Sequence, residues 1–158
     1  MAVQSCFLRT PVGWLEIRED ESGVTLIRFL EAAPVRSDFA VTYPHLKEAY
    51  KQLGEYFRGE RSRFSLTLNP EGTAFQRQVW ENLATVPFGT TTTYGEIARA
   101  IGKPGGARAV GMANNKNPLP IVVPCHRVVG SGGAMVGFGA GIGIKEKLLD
   151  IEGVARAR

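Results

Sequence analysis

A cysteine, a histidine and an arginine stand side by side at Cys125, His126 and Arg127, directly after Pro124. A free thiol becomes a good nucleophile when a base or a positive charge stabilises its thiolate, and both neighbours could do this. The apolar residues 121–123 have the character of a buried strand, which the fixed φ of proline would end. We therefore predict a nucleophilic thiol where a strand gives way to a loop, a common place for functional residues.

The first 70 residues predict a small antiparallel sheet covered by one helix. Residues 45–58 place apolar side chains at helical spacing, and this spacing stops at Gly59. We interpret this half as an N-terminal α/β domain over residues 1–70. Three strand-like runs separated by turn-forming residues precede the helix, at 6–9, 14–18 and 24–29.

Residues 71–158 predict a mainly helical module. A short helix that ends near residue 100, a turn at 102–105 and a helix over 106–114 have the form of a helix-turn-helix. Two segments have the pattern of a capping box, in which a threonine and an acid or amide three residues later exchange hydrogen bonds. These segments are Thr73 to Gln76 and Thr93 to Glu96.

A wing and a final helix complete this predicted winged-helix domain. The glycine-rich residues 130–133 predict the tip of a hairpin between 128–129 and 135–136. Residues 144–151 predict a last helix, which ends at Gly153. The overall fold class predicted is α/β, with a sheet and covering helix followed by a winged-helix domain.

The positive charge of the chain lies in its second half. Residues 1–70 hold nine Lys and Arg against nine Asp and Glu, whereas residues 71–158 hold ten against six, which accounts for the net charge of +4. No acidic residue occurs between Glu96 and Glu146, although six basic residues do. A surface of one sign around a site favours a polyanion such as nucleic acid, while ordinary scatter of surface charge is the alternative.

The composition indicates a globular intracellular protein. The chain has 158 residues, of which 44% are hydrophobic, so it can bury a core. It has no apolar run of membrane-spanning length and no signal-like start, and we expect a cytoplasmic protein with no membrane partner. Cys6 is the second cysteine, and we interpret it as a small apolar residue of a strand. With only two cysteines and two histidines, we expect no disulfide, no metal site and no cofactor.

The segment 124–128, with Asn117-Pro118 before it and Glu152-Gly153 after it, resembles the active-site region of the O6-alkylguanine-DNA alkyltransferases. The likeness runs from about Gly72 to Gly153 and is weak in the N-terminal third. It implies a ribonuclease H-like first domain and a winged-helix second domain. It also implies a DNA repair protein that transfers an alkyl group, such as methyl, irreversibly from guanine O6 to its own Cys125. Activity on O4-alkylthymine is left open.

The resemblance also implies roles for individual residues. Cys125 is the nucleophile, His126 acts as its base through a bridging water, and Glu152 orients the imidazole. Asn117 braces the turn around the active site. A satisfied core histidine at 126 and a surface carboxylate at 152 are the alternatives.

The same resemblance implies a DNA-contacting surface on the second helix of the helix-turn-helix. Arg108 would intercalate through the minor groove in place of a rotated guanine, and Tyr94 would help to rotate the nucleotide. The small side chains of this helix suit close approach to the minor groove without sequence readout. We expect double-stranded DNA as the partner of a monomer, with cooperative binding left open. The other expected DNA contacts are Ala107, Ala109 and Ser131.

The expected substrate pocket is walled by residues from three segments. The sequence departs from family members that carry Tyr-Ser where this chain has Phe138-Gly139, so the preferred alkyl group is not predicted. The carbonyl groups of Cys125 and Val128 would accept hydrogen bonds from the exocyclic amine of guanine. The residues expected to line the pocket are Tyr94, Pro120, Val128, Phe138 and Gly139.

Three other classes of protein compete with this interpretation. An alkyltransferase-like lesion binder would lack the acceptor cysteine, and Cys125 argues against it. A cysteine hydrolase would use the same residue types but would turn over repeatedly on an acyl substrate. A sequence-specific winged-helix regulator would need polar side chains on the second helix, where residues 107–113 are mostly alanine and glycine.

Overall fold

The structure is a computed structural model that describes residues 4–35 and 43–155. The chain divides into two compact units, Met1–Glu71 and Gly72–Arg158. Each unit has its own secondary structure and core, and each is described separately below.

The described residues of the first unit, 4–35 and 43–71, form a three-stranded antiparallel sheet with one helix, α1 (Pro44–Phe57), packed on it. Consecutive strands are neighbours, and α1 buries an apolar stripe that includes Leu46, Leu53 and Tyr56. The predicted sheet and covering helix are therefore confirmed, with strands longer than the sequence pattern indicated because the turn residues also pair. The strands are β1 (Gln4–Thr10), β2 (Gly13–Asp20) and β3 (Gly23–Phe29).

Cys6 lies in β1, where it pairs with Ile17 of β2 and is buried as a free thiol. Burial raises the pKa of this thiol to about 12, and the charge of Glu19 adds to the effect. A thiol with so high a pKa is a poor nucleophile at neutral pH. The structure therefore gives Cys6 the environment of a core residue.

Over residues 72–155, the second unit contains four α-helices and two 3-10 turns. Thr73 begins the first helix with a complete capping box, in which its side chain and that of Gln76 each accept from the other residue's backbone N–H. Thr93 begins the next helix by accepting from the backbone N–H of Glu96, but the Glu96 carboxylate accepts from the hydroxyl of Thr92, so the second predicted capping box is only half formed. The helices are α2 (Ala74–Leu83), α3 (Tyr94–Ala100), α4 (Ala107–Asn115) and α5 (Ile142–Ile151).

The strand predicted at 121–123 is wrong. These residues form a buried turn in which Val123 N–H donates to the carbonyl of Leu119, and Ile121 has a φ of 75°. A short apolar run cannot distinguish a strand from any other buried segment. The turn leads directly into the 3-10 turn Cys125–Arg127, which carries the thiol.

The hairpin predicted around residues 130–133 is also wrong in its detail. Residues 131–133 form a 3-10 turn, and Gly130 N–H donates to the carbonyl of Ala134 at 2.7 Å. No strand follows at 135–136. Instead of pairing with an opposite strand, the carbonyl of Val136 accepts a hydrogen bond from the buried ammonium of Lys145.

Candidate active site

The thiol of Cys125 lies in the 3-10 turn Cys125–Arg127 and is 5% exposed. Burial raises its pKa to about 11, while a hydrogen bond from the Asn117 side chain and the positive charge of Lys145 act in the opposite direction. The resting group at neutral pH is therefore the neutral thiol. A base must remove its proton before the sulfur can act as a nucleophile.

The neighbouring histidine is placed as such a base. His126 is fully buried, and its Nε2 lies 2.7 Å from Oε2 of Glu152 at the C-terminal end of α5. Burial lowers the pKa of His126, against the opposing effect of the Glu152 carboxylate. Within residues 4–35 and 43–155, Nδ1 of His126 has no hydrogen-bond partner. A neutral imidazole that donates from Nε2 keeps a lone pair on Nδ1, which can accept a proton.

Arg127 binds the same carboxylate rather than the thiol. Its Nε lies 2.8 Å from Oε1 of Glu152, and its Nη2 lies 2.9 Å from Oε2. Its Nη1 donates to the carbonyl of Val86 at 2.7 Å, and its guanidinium lies over the Phe88 ring. The expectation that Arg127 would stabilise the thiolate directly is therefore wrong, because the planar fork of a guanidinium matches a carboxylate.

Lys145 supplies positive charge near the thiol, whereas a surface position was expected from the acid-free stretch in which it lies. It is fully buried on α5, and its Nζ donates to the carbonyls of Val128 and Val136. Burial lowers the pKa of Lys145, and interaction with Cys125 raises it. The sequence did contain a signal that Lys145 is buried, because it lies three and four residues before Leu148 and Leu149, on the same face of α5.

Asn117 holds the turn that precedes the thiol. Its Nδ2 donates to the carbonyl of Val123 at 2.8 Å, and its Oδ1 accepts from the backbone N–H of Leu119 at 3.0 Å. The same side chain lowers the pKa of Cys125. One amide thus holds both ends of the buried turn that leads to the thiol.

Tyr94, the first residue of α3, lies beside α4 close to the thiol. A Cβ atom added at Gly111 would lie 3.4 Å from the Tyr94 ring, an ordinary van der Waals distance, so the ring packs directly against α4 at this position. Burial raises the pKa of Tyr94, a hydrogen bond with Asn114 lowers it, and Cys125 is near enough to raise it further. Asn114 is buried, and its Oδ1 has no hydrogen-bond partner in the described part of the chain.

Comparison with known proteins follows the same division of the chain. A family model described as the DNA binding domain of 6-O-methylguanine DNA methyltransferase matches residues 74–154. A second model, described as the ribonuclease-like domain of the same enzyme, matches residues 5–70. The methylated-DNA–protein-cysteine methyltransferase of Methanosarcina acetivorans is 44% identical over 147 residues, which cover 91% of this chain and 94% of the relative. The chain belongs to the 6-O-methylguanine DNA methyltransferase family.

Solved structures of this family have the same fold. The crystal structure of Mycobacterium tuberculosis O6-methylguanine methyltransferase aligns with a TM-score of 0.84 and 42% identity, covering 99% of this chain and 97% of that one. The M. tuberculosis protein in complex with DNA aligns with a TM-score of 0.83 and 43% identity, covering 94% and 92% of the two chains. The predicted family, fold class and enzyme class, a methylated-DNA–protein-cysteine methyltransferase, are confirmed.

In this methyltransferase-family chain, the residues predicted to contact DNA lie at the surface of the second unit. Arg108 and Ala109 on α4 and Ser131 in the glycine-rich turn are exposed, and Ala107 is half-buried. Of the six basic residues counted in the acid-free stretch, Arg127 and Lys145 are buried. Arg99, Lys103, Arg108 and Lys116 remain exposed.

The residues predicted to wall the substrate pocket differ in exposure. Pro120 and Val128 are buried, Phe138 is half-buried, and Gly139 is exposed. The carbonyl of Val128, expected to accept from the guanine amine, already accepts from Lys145. Because a carbonyl oxygen has two lone pairs, it can still accept a second donor.

Neither a membrane span nor a metal cluster is found among the described residues. Within 4–35 and 43–155, no helix is both long and apolar enough to cross a membrane. Over the same ranges, no three His, Cys, Asp or Glu side chains come together in a way that could hold a metal ion.

Proposed function

We propose that this protein repairs DNA by transferring an alkyl group, such as methyl, from O6 of guanine to the sulfur of Cys125, once per molecule. The observation that carries the proposal is a buried thiol directly beside a histidine whose Nε2 is held by a carboxylate and whose Nδ1 is left to accept a proton. Membership of the methyltransferase family and 44% identity to a methylated-DNA–protein-cysteine methyltransferase support the choice of substrate.

The reaction begins with removal of the thiol proton. The proton of Cys125 passes through a water molecule to Nδ1 of His126, because adjacent side chains on one turn do not face each other. Glu152 and Arg127 hold the imidazole in the required tautomer, and the positive charge of Lys145 stabilises the thiolate. The Asn117 side chain acts in the same direction, because it also lowers the pKa of Cys125.

The thiolate then displaces guanine from the alkyl carbon. A sulfur–carbon bond forms while the bond from carbon to O6 breaks, and the electron pair of that bond stays on the guanine oxygen. The proton that left Cys125 returns to guanine, at N1, so the products are a neutral thioether and a normal guanine base. A thioether has no proton to lose and no route back to the thiol, so each chain reacts once.

The alkylated base must leave the helix stack to reach a buried thiol. Unstacking a nucleotide costs roughly a few kcal/mol, and we propose that Arg108 offsets part of this cost by entering the space that the base vacates. Tyr94 would contact the rotated nucleotide, and Pro120, Val128 and Phe138 would wall the pocket, with the backbone of Gly139. Ala107, Ala109 and Ser131 would approach the DNA backbone.

We infer that double-stranded DNA is the partner and that residues 71–158 carry both DNA contacts and transfer, while residues 1–70 form a separate α/β domain. The exposed basic residues of α3 and α4 and the absence of acidic residues between Glu96 and Glu146 support a polyanionic ligand. Such a protein acts as a cytoplasmic monomer. Its activity on O4-alkylthymine is a matter for direct assay.

The test is intact mass after incubation with a duplex containing one O6-methylguanine. We expect one added methyl group per chain, located on Cys125 by peptide mapping, and no further reaction after one equivalent. Cys125→Ala should abolish the mass shift, and Cys6→Ala should leave it unchanged as the matched control. Repeated turnover without modification would contradict the proposal and favour a hydrolase, and binding without modification would favour a lesion binder.

A further inference from the structure

We infer that Arg127 is a positioning residue that keeps His126 neutral, and that it thereby sets the lowest pH at which the protein can transfer an alkyl group. This inference rests on the proposed function. The sequence suggested that Arg127 would stabilise the thiolate of Cys125. Its guanidinium instead binds Glu152, so it acts on His126 and not directly on the thiol.

Arg127 balances the charge of the Glu152 carboxylate. Glu152 is buried, and its two oxygens accept from Nε and Nη2 of Arg127 at 2.8 and 2.9 Å. A carboxylate with a bidentate guanidinium stays ionised in a buried site, because the pair carries no net charge. The charge of Glu152 is therefore already balanced before His126 is considered.

Without that arginine, the charge of Glu152 would act on His126 alone. A buried, unbalanced carboxylate 2.7 Å from an imidazole would be balanced most easily by a second proton on that imidazole. The result would be an imidazolium–carboxylate pair, and an imidazolium cannot accept the proton of Cys125. Arg127 removes the need for this second proton, so His126 can donate from Nε2 and keep Nδ1 free.

Other charged groups also act on His126. Besides Glu152, the imidazole is influenced by the positive charges of Arg127 and Lys145, and both disfavour an imidazolium. Cys125, the only other titratable group of the 3-10 turn, is a neutral thiol until its proton is transferred. Two cations and one anion therefore surround a histidine that is itself fully buried, and each cation favours its neutral form.

Contacts with the segment between α2 and α3 hold Arg127 in place. Nη1 of Arg127 donates to the carbonyl of Val86 at 2.7 Å, and the guanidinium lies 5.8 Å from the centre of the Phe88 ring. Its backbone carbonyl also accepts from the N–H of Thr92 at 2.8 Å. The segment between α2 and α3 thus holds Arg127 in the orientation that its fork requires.

The direct test is the protonation state of His126 in the wild-type protein, read by ¹⁵N NMR of the imidazole as pH is lowered. We expect a neutral ring protonated at Nε2 at pH 7, remaining neutral below the ordinary histidine value of 6.5. A doubly protonated His126 at pH 7 would overturn the inference. This measurement needs no substrate, so it stands even if the proposed alkyl transfer fails in the mass assay.

The variant test compares Arg127→Met with the double variant Arg127→Met/Glu152→Gln. In the single variant, we expect the acidic limb of the pH profile of the single-turnover rate to move up by at least one pH unit. At a pH below this limb, the shift corresponds to about a tenfold loss of rate. In the double variant, the Glu152 carboxylate is also removed, so nothing favours a second proton on His126. The acidic limb should then return toward its wild-type position, although the double variant packs no better around His126 than the single variant does. A limb that does not move in folded Arg127→Met would contradict the inference. If the single variant does not fold, a double variant with His126 protonated at pH 7 would also contradict it.

Discussion

Nε2 of His126 lies 2.7 Å from Oε2 of Glu152, and neither side chain is exposed to solvent. An ionised carboxylate can only accept, so this contact assigns the donated hydrogen to Nε2 and leaves Nδ1 as the basic nitrogen. The residue that fixes the tautomer thus lies 26 positions along the chain, at the end of α5. A proton acceptor next to the thiol is therefore built into the fold before any DNA is bound.

Replacing Glu152 by glutamine tests this relationship. The amide oxygen can still accept from the imidazole, but the amide NH2 can also donate to it, so the tautomer is no longer fixed. The amide also carries no charge, so the buried ion pair with Arg127 is lost. We expect the single-turnover rate on an O6-methylguanine duplex at pH 7 to fall on the order of 10²-fold. We also expect the free energy of unfolding in urea to fall by about 3–5 kcal/mol. Glu81→Gln, an exposed change on α2, is the control, and an unchanged rate in folded Glu152→Gln would contradict the proposed relay.

Replacing Lys145 by methionine tests the cation near the thiol. Because the charge of Lys145 lowers the pKa of Cys125, its removal should raise that pKa above about 11 and reduce the thiolate fraction. In a Cys6→Ala background, we expect alkylation of Cys125 by iodoacetamide to slow by about tenfold for each unit of pKa increase. The rate would be measured at several fixed pH values.

Lys147→Met provides the matched control for Lys145→Met, because Lys147 is exposed two residues further along α5. Loss of the donor also leaves the carbonyls of Val128 and Val136 unpaired, so a decrease in stability of about 1–3 kcal/mol is expected. Equal iodoacetamide rates in the two lysine variants would show that Lys145 serves only to hold these carbonyls.

The features that were predictable from sequence are those with local causes. The capping box at Thr73 is a pattern of four residues, and the structure has both of its hydrogen bonds. The stripe of α1 repeats within one helix and identifies the buried face in the same way. Such elements are defined by neighbours in the chain, so their existence follows from the residues alone.

The features that were missed depend on contacts between distant parts of the chain. Nothing near Arg127 in sequence indicates that its partner is a carboxylate 25 residues away, whereas its neighbour Cys125 made a local role plausible. The turn at 121–123 was interpreted as a strand because burial by surrounding helices and burial within a sheet select the same apolar residues. The functional site is thus harder to predict than its scaffold, although Pro124 to Arg127 identified its centre.

Replacing Arg108 by alanine separates rotation of the nucleotide from chemistry. Arg108 is exposed on α4, so its loss should not disturb the fold. We expect the rate on duplex O6-methylguanine to fall by at least tenfold, while the slow reaction with the free O6-methylguanine base stays within about twofold, because only the duplex requires unstacking. Both rates would be followed by intact mass. The control is Arg99→Ala, which removes an exposed arginine from α3 and should slow both reactions much less than Arg108→Ala slows the duplex reaction. If Arg108→Ala slows the duplex and free-base reactions equally, the intercalating role is refuted.

The two buried thiols predict how stability depends on alkaline pH. Their folded-state pKa values are raised from 9.0 to about 12 for Cys6 and about 11 for Cys125, so above pH 9 the unfolded chain loses protons that the folded chain retains. The contribution of these thiols to stability is therefore fully present below pH 9 and decreases as pH rises through the folded-state values.

We expect the free energy of unfolding in urea to decrease progressively above pH 9, and this decrease should be smaller in Cys6→Ala, which removes the group with the larger shift. Cys125→Ala should reduce the slope as well, because it removes the second group.

Stability should also decrease below about pH 6.5, because His126 has a lowered pKa and the unfolded chain then binds a proton that the folded chain does not. Urea titrations at pH 5 to 10 on the wild type and both cysteine variants would measure all three effects. An alkaline slope that is identical in all three proteins would show that these thiols are not protected by burial.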